Sequence, residues 1–160
     1  MVRERLRRLR VGDRNFVWTA RIGHVPGEGD CHRCIRIRVW GGGKNSHALE
    51  ADLLSKSCAS PWTACATDNA YPQPRDVRAV IDYALKRGWD ATATGGTFLL
   101  SERDHASAFE LEDFLLTDRR RDPAAPDPTA RVIRAYEWRT AEADPVRQGH
   151  REDVGPDAGG

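Results

Sequence analysis

Residues 71–100 read Y-P-Q-P-R-D-V-R-A-V-I-D-Y-A-L-K-R-G-W-D-A-T-A-T-G-G-T-F-L-L, and this stretch decides the fold. It holds a helix start, a helical period, a helix stop and a strand in succession. Pro74 suits the first helical position, where its missing N–H would be unpaired in any residue. Gln73 then falls at the N-cap and Asp76 at N3, a partial capping box whose carboxylate reaches back to free amides. Val77, Val80, Ile81, Ala84 and Leu85 recur at i, i+3, i+4, i+7 and i+8, an apolar stripe. Arg75, Arg78, Asp82 and Lys86 take the opposite face. Gly88 predicts the stop, since a left-handed residue after the last turn costs glycine least. An amphipathic helix of this kind needs a sheet to cover.

The N-terminal third supplies it. Residues 6–11 and 16–22 alternate and predict a hairpin around Gly12-Asp13-Arg14-Asn15, with Val11 opposite Phe16 and Leu9 opposite Trp18. Residues 25–33, holding C-H-R-C, read as a polar loop. A second hairpin follows. Ile35, Ile37 and Val39 alternate with Arg36, Arg38 and Trp40, and Leu49, Ala51 and Leu53 alternate with Glu50 and Asp52. Setting Val39 opposite Leu49 places Arg38 against Glu50 and Arg36 against Asp52, so both faces support one register.

Residues 56–71 show no regular period and predict a long loop containing Cys58, Pro61, Trp62 and Cys65. Beyond the helix, 97–101 reads as a strand, and 109–117 as its antiparallel partner with a bulge near Asp113. The fold class expected is α+β, in the order ββββαββ: about six antiparallel strands with one main helix on one face. Residues 1–118 form that domain. Residues 119–160, rich in charge and proline, read as a largely disordered tail with a docking segment at 130–139, where Val132, Ile133, Tyr136 and Trp138 cluster.

The chain of 160 residues carries a net charge of +1, which favours no polyanionic partner by itself. Its charged N-terminus lacks the apolar run of a secretory signal, and no run approaches membrane-spanning length. A cytoplasmic location follows as the simplest expectation, and there four cysteines read as thiols or metal ligands rather than disulfides. Cys31-x2-Cys34 has the bite for one zinc ion, and Cys58 and Cys65 complete a four-thiolate set if the long loop folds over. Four protein ligands leave no position for water, so such a Zn2+ would be structural. His32 or His24 could replace one ligand.

Other motifs carry less. Gly41-Gly42-Gly43-Lys44-Asn45-Ser46 lacks the leading glycine, the hydroxyl after lysine and the following helix of a phosphate loop, so it predicts a hairpin turn with at most weak anion binding. Arginines at 3, 5, 7, 8, 10, 21, 36 and 38, with Trp18 and Trp40, sketch a nucleic-acid-binding sheet face. Two of them already have acidic partners, and a solvated face is the expectation. Asp104-His105 with Ser101 and Ser107 is not a relay, because neighbouring side chains diverge. His47, His24 and His150 lie in polar segments.

The strand and turn I-R-V-W-G-G-G-K-N and the helix P-R-D-V-R-A-V-I-D-Y-A-L-K-R-G-W resemble uncharacterised small proteins of GC-rich actinobacterial genomes, over residues 12–120. The resemblance implies no activity and assigns no residues. The function expected is a non-catalytic cytoplasmic domain that binds another protein through the sheet or the C-terminal segment. A zinc-stabilised nucleic-acid-associated protein is the alternative, and an enzyme with its site in the 56–71 loop comes third.

Overall fold

In the computed structural model of the protein, which describes residues 4–29, 31–56 and 68–143, helix α1 spans Pro74–Lys86. Its ends follow local chemistry. The Gln73 amide donates to Asp76 Oδ2 at 2.8 Å, closing the acidic half of the capping box. At the other end Trp89 N–H donates to the Ala84 carbonyl at 3.0 Å and Gly88 N–H to Leu85 at 3.3 Å. These paired bonds require the left-handed backbone that Gly88 adopts, with φ of 98°.

The helix lies on a sheet of six strands among the described residues: β1 (Arg7–Val11), β2 (Arg14–Pro26), β3 (Cys31–Trp40), β4 (Ala48–Ser55), β5 (Thr97–Leu99) and β6 (Phe114–Leu116). Strands β1 to β4 form an antiparallel meander, and β4 is flanked on its far side by both β5 and β6. The described residues hold two further helices, α2 (Glu102–His105) and α3 (Pro128–Ala143). The architecture is the mixed α/β fold expected, with a mostly antiparallel sheet.

The second hairpin has the expected register: Val39 faces Leu49, Arg38 faces Glu50 and Arg36 faces Asp52. The first hairpin is shifted by two residues, with Leu9 opposite Phe16 and Arg7 opposite Trp18. A tight turn at Gly12-Asp13 replaces the four-residue connection, made possible by Gly12 at φ 59°. An even shift keeps every side chain on its assigned face. The expected loop over 25–33 is instead mostly strand. Val25 pairs with His32 and Pro26 with Cys31, so C-H-R-C lies within β3.

The chain after α1 departs most from expectation. Strand β5 pairs with β4 in parallel, because the intervening helix returns the chain in the same direction. Strand β6 pairs with β4 antiparallel, and β5 does not pair with β6. The two short strands lie end to end along the edge of β4: Leu100 N–H takes the Glu50 carbonyl at 2.9 Å, and Thr117 N–H takes the Asp52 carbonyl at 3.1 Å. Between them the chain turns through α2, capped by Ser101 Oγ accepting from Asp104 N–H at 3.2 Å.

On one face of the sheet Val77, Val80, Ile81 and Ala84 meet Phe16, Trp18, Ile35, Ile37, Val39, Leu49, Ala51 and Leu53. All are buried, and each large aliphatic side chain contributes about 1.5–3 kcal/mol by leaving water. Ile22, whose alternation with Phe16 and Trp18 predicts an inward side chain, is about half exposed. Pairing with β1 stops at Trp18, so β2 is an edge strand at that point. Residues 119–143, the beginning of the expected tail, contribute to the fold: α3 sets Val132 against Val25, Cys34 and Leu54 on the other face of the sheet. Residues 144–160 lie outside the described residues.

Ile81 is fully buried at the centre of the helix–sheet contact. Ile81→Asp is expected to abolish the cooperative thermal transition and native near-ultraviolet dichroism, since it buries an unpaired carboxylate. A variant that kept both would contradict this packing.

Candidate functional site

The sheet face away from α1 carries the chemistry. Even positions of β3 and β4 point there, bringing Cys34, Arg36, Arg38 and Trp40 beside Glu50, Asp52 and Leu54. Arg36 grips Asp52 with two bonds, Nε to Oδ1 at 2.8 Å and Nη2 to Oδ2 at 2.9 Å. The hydrogen bonds that Arg36 donates to Asp52 raise its pKa further, against the effect of burial. Arg38 Nε lies 3.0 Å from Glu50.

This face was expected to be solvated, but residues 118–143 cover much of it. Arg121 bonds Glu50 and lies 3.5 Å from Asp52. Arg120 lays its guanidinium over Gly23, where a Cβ would come within 3.1 Å of Cζ. Three guanidiniums, those of Arg36, Arg38 and Arg121, thus gather around two carboxylates, and Asp52 is only 2 % exposed. The Nη1 atom of Arg120 is buried without a hydrogen-bond partner. Charges sealed in this way are held by one another rather than by water.

Two open clefts flank the sealed cluster. The larger, about 620 Å³, lies beneath α3 and is lined by Lys56, Glu110, Leu115, Arg131, Arg134 and Trp138, among others. Lys56 is nearly buried there, paired with Glu110 and donating to the Leu111 carbonyl at 2.7 Å. Arg131 lies 3.3 Å from Glu102, and burial lowers its pKa. Trp138 overhangs this cleft and is 68 % exposed. The smaller cleft, about 360 Å³, opens at the other end of the sheet between the glycine turn 41–47 and Gly95-Gly96.

Two of the four cysteines expected at a metal site lie among the described residues. Cys31 and Cys34 stand three apart on one strand, so their side chains leave it on opposite faces. Cys34 is a free thiol in a dry pocket, and burial, reinforced by the nearby Asp52 charge, pushes its pKa up to about 12. Cys31 is disulfide-bonded, against the expectation that the cysteines form no disulfides. Cys58 and Cys65, with most of the 56–71 loop, lie outside the described residues. Among the described residues no group of three or more His, Cys, Asp or Glu side chains is placed to hold a metal.

Asp104 is bonded to the Ser101 hydroxyl at 3.0 Å, while His105 Nδ1 meets the Tyr83 hydroxyl at 3.2 Å. The pair is therefore divided between a helix cap and an aromatic contact. Trp18 lies in the core, and Trp40 sits on the charged face under Arg38, whose Cζ lies 5.3 Å from the centre of the Trp40 ring. Sequence reasoning missed Asp118, which accepts the Glu102 amide at 2.9 Å, and the arginines 119–121. Their only signal was the charge run D-R-R-R-D, and nothing in its spacing points to strands some seventy residues earlier.

No helix among the described residues is long and apolar enough to cross a membrane. Comparison with known proteins finds no family model, no curated protein and no solved structure that matches the chain.

Asp52 is the most enclosed charge of the cluster. Asp52→Ala is expected to lower the unfolding free energy by about 3–5 kcal/mol, because Arg36 loses its partner in a covered site. Urea unfolding of the variant and of an Arg36→Leu, Asp52→Leu double variant checks this. The double variant should lose less than the single one, and equal losses would contradict the account.

Proposed function

We propose that this protein is a non-catalytic cytoplasmic interaction domain, and that it binds another protein in the cleft beneath the C-terminal half of α3. The observation that supports it is Trp138, the most exposed of the large apolar side chains among the described residues, standing at the mouth of an open cleft of about 620 Å³. Exposed tryptophan beside a pocket is the side chain most often found at the energetic centre of a protein interface. Arg134 and Glu142 on the same helix, with Glu112 opposite, supply a polar rim of both signs. The partner is a peptide segment that offers one apolar side chain to the cleft and polar groups of both charges around it.

A photo-crosslinking residue placed at position 138 of the full chain, and in a control at exposed Arg8, tests the reading in cell extract. One protein captured at 138 and not at 8 is expected, and Trp138→Ala should weaken its purified complex at least about tenfold. Equal capture at both positions, or an affinity indifferent to Trp138→Ala, would overturn it.

The zinc-stabilised nucleic-acid-associated alternative rests on the spacing of Cys31, Cys34, Cys58 and Cys65. It requires Cys31 as a thiolate, so metal analysis belongs on reduced, tag-free protein never exposed to chelator. About one equivalent of zinc supports this alternative, and less than about a tenth removes it.

A further inference from the structure

The glycine turn that joins β3 to β4 has more structure than a connection needs. Ser46 Oγ donates to the Gly43 carbonyl at 2.6 Å and accepts the Gly42 amide at 3.1 Å, which ties the turn into a fixed loop. Gly43 takes φ 83°, a conformation that side chains other than glycine rarely adopt. Behind the turn, Gly41 packs so closely on Ala91 that a Cβ would approach within 2.6 Å. Facing it are Gly95 and Gly96, both with positive φ, held by Gly95 N–H to Asn45 O at 2.9 Å and Ala48 N–H to Gly96 O at 3.1 Å.

These two glycine segments form the walls of the smaller cleft, which holds about 360 Å³. Its polar lining comes from Arg38, Lys44, Asn45, Ser46 and Thr97, and no carboxylate lines it. The amides of Lys44, Asn45 and Gly96 take no part in the bonds that hold the two segments. The Arg38 guanidinium is fixed over the Trp40 ring at 5.3 Å, with its Nε toward Glu50. A planar fork already held against an indole loses little freedom when it binds an oxyanion.

We propose that this cleft binds a phosphate group, with Lys44 as the point charge, Arg38 as the planar fork and the Asn45 and Thr97 side chains as neutral partners. Glu50 holds Arg38 from its Nε side at 3.0 Å, while no carboxylate lines the cleft opposite Lys44, so the two cations favour an anion there, and glycine-turn amides commonly complete such a concavity. The proposal is independent of the α3 cleft, which lies at the opposite end of the sheet.

The test is an amide chemical-shift titration of the isotopically labelled full chain with inorganic phosphate, adenosine 5′-monophosphate, adenosine and an unphosphorylated oligothymidylate. Saturable shifts confined to residues 42–46 and 95–97 are expected with inorganic phosphate and the monophosphate, and none there with adenosine. Lys44→Glu should weaken binding at least about tenfold, and Lys44→Arg should retain it. Lys44 is exposed in the turn, so both variants should keep the wild-type spectrum elsewhere. Oligothymidylate shifting the same amides would support the site and identify a nucleic-acid phosphodiester as its source, whereas response to inorganic phosphate and the monophosphate but not to oligothymidylate would support it and identify a small phosphomonoester. No saturable shift at these amides up to about 20 mM phosphate, or equal titrations of the wild type and Lys44→Glu, would overturn the proposal.

Discussion

Glu50 and Asp52 carry two carboxylates into a strand whose residues are all buried, and the rest of the molecule is arranged around that constraint. A buried carboxylate without partners would cost far more than its strand could recover. Arg36 and Arg38 answer it from the adjacent strand and Arg121 from the far C-terminal segment. The same ion pairs that neutralise the charge also pin the register of β3 against β4. A shift of one residue would send the arginines toward α1 and the isoleucines into the charged layer.

The two faces of the sheet are stabilised differently. Under α1 the contact is apolar and continuous. On the other face the layer is mostly ionic in its middle, with a small apolar cluster where Val132 of α3 meets Val25, Cys34 and Leu54. The covering segment is anchored at its far end by Asp127, whose carboxylate accepts the Glu28 amide at 3.1 Å and the Thr129 amide at 2.9 Å. His32 reaches Thr129 Oγ1 at 2.8 Å beside it. The turn between β2 and β3 and the start of α3 are therefore one local assembly, and this assembly positions the α3 cleft.

Strand β4 has a central place in the topology because it is served by three different strands. Its first half accepts β5 and its second half β6, so its outer edge is occupied in two pieces. The glycine turn, bound through Asn45 to Gly95, belongs to the first piece, and Lys56, whose amide donates to Asp113 O at 3.0 Å, belongs to the second. Each cleft thus sits at one end of the same strand.

What the sequence by itself determined is what short-range chemistry controls: α1 with its cap and glycine stop, the β3–β4 register, and the side of the sheet on which each of Trp18, Ile37 and Leu49 lies. Those features follow from periods of 2 and 3.6 and from charges placed opposite one another within one hairpin. Only the tertiary structure decided that β5 runs parallel to β4, that β6 lies end to end with β5 along β4 instead of pairing with it, and that Arg120 and Arg121 close over the charged face. Three-residue strands leave too little pattern to choose a partner, and an arginine in a polar run looks the same whether it faces water or a distant carboxylate. The candidate clefts were illegible for that reason: Trp138 and Lys56, or Lys44 and Thr97, are brought together by contacts between segments far apart in the chain, and no local spacing records them.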